Sequence, residues 1–129
     1  MTTSKKNMIV IVDDDEDLLR LLTAAFIAKG FEVKTMTTGK EGLSFFSDEK
    51  KWSGAALIIL DRMLPDMDGL DILRKFTAKF SHKVPVLILS VLTSEKDVLS
   101  GLQKGAVDYI GKPFSLPILM EKALALIGK

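Results

Sequence analysis

The chain has 129 residues, 18 Lys plus Arg against 17 Asp plus Glu for a net charge of +1, and no cysteine. That length is near the commonest size of one domain and allows roughly 68% of the unfolded surface to be buried in a single core. The even charge balance, with no basic run longer than the Lys5-Lys6 and Lys50-Lys51 doublets, leaves no electrostatic footprint for nucleic acid, and the missing cysteines exclude a disulfide framework, a thiolate zinc site and a cysteine nucleophile.

Met1–Asn7 is polar and lacks the apolar stretch and cleavage site of a secretory signal, so it reads as a flexible leader (1–7) before one domain at 8–129. Met8–Val12 is a short aliphatic run that predicts a buried strand, and Asp13-Asp14-Asp15 follows it. Glu16–Lys29 places Leu18, Leu19, Leu22, Ala25 and Phe26 at helical spacing and is closed by Gly30. Phe31–Met36 alternates more and predicts a partly covered strand. Lys40–Phe46 predicts a second helix, and Ser47–Gly54 a polar loop free to vary. Leu57–Leu60 predicts a strand ending at Asp61, and Gly69–Phe80 a helix capped by Asp68 with Asp71 three residues on. His82 lies in a polar turn and reads as solvated.

Val86–Leu89 predicts a strand ending at Ser90, and Glu95–Lys104 a fourth helix before Gly105. Val107–Ile110 predicts a fifth strand, followed by Lys112-Pro113. Leu116–Ile127, behind a Ser115 cap, predicts the last helix; its only charges are Glu121 and Lys122. The apolar width of that helix points equally to a partner or homodimer face and to tight packing on the sheet. None of the apolar runs reaches the length of about 18 residues that marks a membrane span, so a soluble cytoplasmic protein is expected.

Strands alternating with helices at this spacing predict right-handed crossovers and an α/β fold, a (βα)5 doubly wound parallel sheet covered on both faces. In such a sheet the carboxyl ends of the strands gather ligand chemistry. Four polar pieces follow apolar runs: Asp13-Asp14-Asp15, Asp61, Ser90 and Lys112-Pro113. Neighbouring carboxylates repel one another unless a cation sits among them, and an all-oxygen site favours Mg²⁺ over zinc or copper. A strand-end Asp61 then serves as a nucleophile toward a phosphoryl donor, with Lys112 cancelling charge and Ser90 donating to a phosphoryl oxygen.

Taken singly, each piece has a plainer reading. Acids from Asp13 to Asp17 suit a helix start, and the spacing Asp13, Asp15, Asp17 mimics a calcium loop, although Leu18 replaces the required glycine. Asp61 and Ser90 alone are turn residues, Lys112 alone is a surface lysine, and Tyr109 alone is a strand aromatic.

In order and position these residues resemble the receiver domain of two-component response regulators: Asp13-Asp14, then Asp61-Arg62-Met63-Leu64-Pro65-Asp66-Met67-Asp68-Gly69, then Ser90, then Lys112-Pro113-Phe114, with Gly105-Ala106-Val107-Asp108-Tyr109 as a smaller echo. The separations are 47 residues from Asp14 to Asp61, 29 on to Ser90 and 22 on to Lys112. The resemblance implies a flavodoxin-like sheet of strand order 2-1-3-4-5 and a phosphorelay switch that catalyses only its own phosphorylation and dephosphorylation. Asp61 would accept a phosphoryl group from a sensor histidine kinase, a phosphotransfer protein or a small donor. Mg²⁺, with Mn²⁺ as a substitute, would be held by Asp13, Asp14, Asp61 and the backbone carbonyl of Met63, Asp14 being the direct ligand of the acidic pair.

The same resemblance makes Ser90 and Tyr109 a switch pair and places a cis peptide before Pro113. The readout face for a downstream protein would be the fourth predicted helix, the fifth strand and the last helix. Val91 stands where the family usually has a small residue, and Met63 and Leu92 are apolar where the path of the attacking water is flanked; a long-lived acyl phosphate is expected. Two other classes remain beside this reading. A haloacid-dehalogenase-like phosphohydrolase shares an aspartyl nucleophile and Mg²⁺, but Asp17 stands where its first motif needs threonine. A pseudo-receiver would bind proteins without phosphorylation. The chain is either a stand-alone receiver or a piece of a larger regulator or hybrid kinase.

Overall fold

The aliphatic runs pair as strands whose alternate side chains enter opposite layers. A computed structural model describes residues 6–80 and 84–128. Its strands are β1 (Met8–Val12), β2 (Glu32–Met36), β3 (Ala55–Leu60), β4 (Val86–Ser90) and β5 (Asp108–Gly111). All neighbours are parallel, in the order β2-β1-β3-β4-β5. The helices are α1 (Glu16–Ala28), α2 (Gly39–Phe46), α3 (Glu49–Trp52), α4 (Gly69–Phe80), α5 (Glu95–Gln103) and α6 (Leu116–Ile127). The expected doubly wound sheet and strand order are therefore present. Residues 1–5, most of the predicted leader, and His82 lie outside the described residues. Asn7 is held, its amide and side chain donating to the carbonyls of Gly54 and Gly30.

Period-two alternation sorts the core into two layers. Ile9, Ile11, Leu57, Ile59, Leu87 and Leu89 face Leu18, Leu22 and Phe26 of α1 and Leu119 and Ala123 of α6. Val10, Val12, Ile58, Leu60, Val86 and Ile88 face Phe45, Phe46, Trp52, Ile72, Leu73 and Phe76 on the other side. β3 is central and buried along its whole length, which is why its sequence shows no alternation, whereas β2 is an edge strand with Glu32, Lys34 and Thr35 exposed.

The helix punctuation also has physical causes. Asp15, Thr38, Ser94 and Ser115 cap α1, α2, α5 and α6, each accepting from a backbone amide of the first turn. Gly30 sits at φ +92° beyond α1, its amide donating to Ile27 O and that of Phe31 to Phe26 O, a Schellman closure that a side chain would strain.

The segment Ser47–Gly54 departs from the expected free loop. It contains α3, capped by Asp48, and its Trp52 is 2% exposed, donates from Nε1 to Phe46 O and meets Phe76 edge-on at 5.0 Å. One aromatic anchor outweighs the polar composition around it. In α6, burial of Leu119, Met120 and Ala123 accounts for much of the apolar width, while Ile118 stays exposed. Among the described residues no helix is long and apolar enough to cross a membrane.

Candidate functional site

Strand order reverses where β1 neighbours both β2 and β3, and a crevice opens beyond the carboxyl ends at that switch point. Asp13 follows β1 and donates its amide to Met36 O; Asp61 follows β3 and donates its amide to Val12 O. These backbone bonds continue the sheet ladder by one step and fix both carboxylates side by side. Carboxylate oxygens of Asp13, Asp14 and Asp61 lie within 4.8 Å of one another, with Asp13 and Asp61 buried and Asp14 exposed. It is the one group of three or more potential metal ligands among the described residues.

Lys112, after β5, reaches into the same crevice. Its Nζ lies 2.7 Å from Asp13 Oδ2 and 3.1 Å from Asp61 Oδ2. Its amide donates to Ser90 O at 2.8 Å, and the Lys112–Pro113 peptide is cis, as the resemblance implied. Burial pushes the Asp13 carboxyl above its usual range, and the neighbouring charge of Asp61 adds to that against the hydrogen bonds from Lys112 and the Asp15 amide. Burial opposes the Lys112 charge, but the two carboxylates outweigh it and its pKa is raised. The pocket thus carries more negative charge than its lysine offsets. Hard oxygen donors around such a deficit fit a small divalent cation, and Mg²⁺ is the natural occupant of a water-accessible set of this kind.

The other expected residues are arranged around this centre. Ser90 is fully buried, with Oγ accepting from the Leu92 amide in its own turn. Met63 donates its amide to Asp61 Oδ1 at 3.1 Å while its side chain is exposed, as is that of Val91. Tyr109 is half-buried on β5, and its hydroxyl donates to the Leu92 carbonyl. Asp13, Asp14, Asp61 and Lys112 are therefore brought together, with Ser90 joined to Lys112 through the backbone.

Three residues of the Asp61–Gly69 stretch have roles that strand-end reasoning missed. Asp66 accepts from the amides of Gly39 at 2.7 Å and Lys40 at 2.9 Å, capping α2 from 26 and 27 residues away and holding its own carboxyl below the usual range. Arg62 is buried, its guanidinium facing Asp68 and Asp97. Gly69 closes the loop: a Cβ there would stand 2.0 Å from the Asp61 carbonyl oxygen, so only glycine permits this approach. The visible signal was the density of Asp and Gly in the stretch, which does not by itself name partners.

Comparisons with known proteins identify the family of the fold. The sequence model of the response regulator receiver domain matches residues 9–124. The uncharacterized transcriptional regulatory protein YclJ of Bacillus subtilis (strain 168) is 39% identical over 81% of this chain and 43% of its own length, and YkoG of the same organism is 35% identical over 95% and 52%. The chain spans about half the length of the curated relatives it matches. A CheY-like receiver domain protein from Methanospirillum hungatei JF-1 superposes with a TM-score of 0.85 at 29% identity, covering 95% of this chain and 94% of that one. The CheX-CheY-BeF3-Mg²⁺ complex from Borrelia burgdorferi gives 0.85 at 27%, covering 95% and 90%. The match over most of its length, on this sheet, makes the chain a member of the response regulator receiver domain family of two-component phosphorelay signalling.

Proposed function

We propose that Asp61 is the phosphoacceptor of a switch charged by a sensor histidine kinase, a phosphotransfer protein or a small phosphoryl donor. The observation that carries this reading is the convergence of three carboxylates and one ammonium, from residues as far apart as 13 and 112, on a single crevice. An Asp61 Oδ atom forms a bond to phosphorus as the donor's P–N or P–O bond breaks, and the leaving imidazole, ammonia or carboxylate departs with the electron pair of that bond. Asp13, Asp14, Asp61 and the Met63 carbonyl would hold Mg²⁺, or Mn²⁺ in its place, which supplies charge neutralisation on the transferred group. Lys112 Nζ, already within 3.1 Å of Asp61, moves its bonds to a phosphoryl oxygen, and Ser90 Oγ donates to another.

Phosphorylation adds about −1.5 to −2 charges to one residue, a local change that a two-state element turns into altered binding. Ser90 and Tyr109 are the switch pair in this reading, linked through Leu92, whose amide donates to Ser90 Oγ and whose carbonyl accepts from the Tyr109 hydroxyl. The output face is α5, β5 and α6, where Leu99, Leu102, Val107 and Ile118 are exposed beside the Lys122–Asp108 ion pair. It serves a downstream protein or a second copy of the chain, not nucleic acid. A cytoplasmic site of action belongs to the same reading. Exposed apolar Met63 and apolar Leu92 give no group to orient a hydrolytic water, so the acyl phosphate is long-lived.

The test is phosphorylation of the purified chain by phosphoramidate with Mg²⁺, read by intact mass. One phosphoryl group on the wild type and none on Asp61→Asn is the expected result; equal labelling of both, or of neither, rejects Asp61 as acceptor.

A further inference from the structure

Arg62 stands immediately after Asp61, yet its side chain leaves the acidic crevice and enters the gap between α4 and α5. Only 10% of that side chain is exposed. Nη1 faces the Asp97 carbonyl at 3.3 Å and Asp97 Oδ1 at 3.4 Å; Nη2 faces Asp68 Oδ2 at 3.3 Å. Both carboxylates have their second oxygen occupied at a helix start: Asp68 Oδ1 accepts from the Leu70 amide, and Asp97 Oδ2 from the Ser94 hydroxyl that caps α5. Nε is buried with no acceptor at good geometry. Burial opposes the guanidinium charge, but Asp68 and then Tyr109 favour it, and the Arg62 pKa is raised. One cation thus ties the residue after the acceptor to the first turns of two helices and borders the tyrosine of β5.

These bonds are at the long end of the hydrogen-bond range and are therefore easily broken. The Arg62 backbone is fixed, its carbonyl accepting from the amides of Leu64 and Gly69. The β4–α5 connection, by contrast, carries Ser90, Leu92 and the Ser94 cap in one short stretch. If Ser90 Oγ turns to a phosphoryl oxygen it gives up the Leu92 amide, and the connection that positions Ser94 and Asp97 shifts relative to Arg62. We propose that Arg62 is a positioning residue, a latch that holds the α5 N-terminus in the arrangement described here and so opposes the switched form. This rests on the reading of Asp61 as phosphoacceptor.

A latch on the resting form lowers the apparent affinity of any ligand that needs the switched form by the fraction of molecules that are switched. Beryllofluoride with Mg²⁺, a phosphoryl mimic, is the probe. The experiment titrates it into the wild type, Arg62→Met, Asp97→Asn and the double variant, followed by amide chemical shifts, and measures amide hydrogen exchange of α5 without the probe. Each single variant is expected to bind about fivefold more tightly, equivalent to about 1 kcal/mol, the upper end for partly exposed ion pairs. The double variant should bind no more tightly than Arg62→Met, which already removes the contact with the Asp97 carboxylate. Exchange in α5 should quicken in the same variants.

A packing role alone would loosen the fold without raising affinity. Folded variants with unchanged or weaker beryllofluoride binding therefore overturn the latch, as does an additive double variant. Should Arg62→Met fail to fold, Asp97→Asn carries the test, since it keeps the guanidinium and removes one charge. A wild type that takes up no beryllofluoride rejects the phosphoacceptor reading and the latch with it. Wild-type binding without tightening in the variants rejects the latch alone.

Discussion

Replacing Lys112 by Met removes the cation that, among the described residues, contacts both Asp13 and Asp61, while keeping most of the apolar stem. The two contacts, at 2.7 and 3.1 Å, correspond to gross attractions of about 6 and 5 kcal/mol at an effective dielectric near 20. Much of that is offset by desolvating the lysine, which is 15% exposed, and the carboxylates, at 2% and 6%. Breaking a buried pair by removing one partner leaves uncompensated charge and costs about 3–5 kcal/mol. Because Asp13 is already held above its usual range with the lysine present, a loss of about 3 kcal/mol at neutral pH in chelator is expected. Urea denaturation followed by Trp52 fluorescence measures it. Added Mg²⁺ should restore a large part of the loss and stabilise the variant more than the wild type, since binding to the folded state alone stabilises by mass action. A variant within about 1 kcal/mol of wild type in chelator, or one indifferent to Mg²⁺, would refute the reasoning.

Other consequences are equally direct. Trp52→Ala should cost about 3–5 kcal/mol in the same denaturation series read by circular dichroism; a cost below about 1 kcal/mol would make α3 the free loop its composition suggested. Gly69→Ala forces the Asp61 carbonyl to move, so phosphoramidate labelling should fall severalfold while the fold persists; wild-type labelling would contradict that. Asp66 has a depressed pKa from the Gly39 and Lys40 amides, so it contributes stability above its ordinary 3.8 that is lost as pH falls through the lower folded value. In Asp66→Asn that segment of the acid stability curve should flatten, and an unchanged curve would count against the capping bond.

The fold was legible because buried parallel strands need unbroken aliphatic runs, and Met8–Val12, Ala55–Leu60 and Val86–Ser90 supply them with a polar residue at or just beyond the strand end. The centre of the site was legible for the same reason: residues at strand ends are placed by topology before any side chain packs. What stayed hidden depends on contacts between segments. The Arg62–Asp97 pair spans 35 residues and the Asp66 cap 26 and 27, and no periodicity encodes either. Trp52 was concealed by its lysine neighbours; only the third dimension shows that Phe46 and Phe76 receive it.

The central claim is that Asp13, Asp14 and Asp61 share one divalent ion beside the acceptor oxygen. A crystal structure with Mg²⁺ and beryllofluoride tests it most directly. The expected result is beryllium on an Asp61 Oδ atom, the ion ligated directly by Asp61, Asp14 and the Met63 carbonyl and by Asp13 through a water, and Lys112 Nζ turned to a fluorine. An ion bound elsewhere, or a beryllium bonded to another residue while Asp61 keeps its lysine contact, would contradict it.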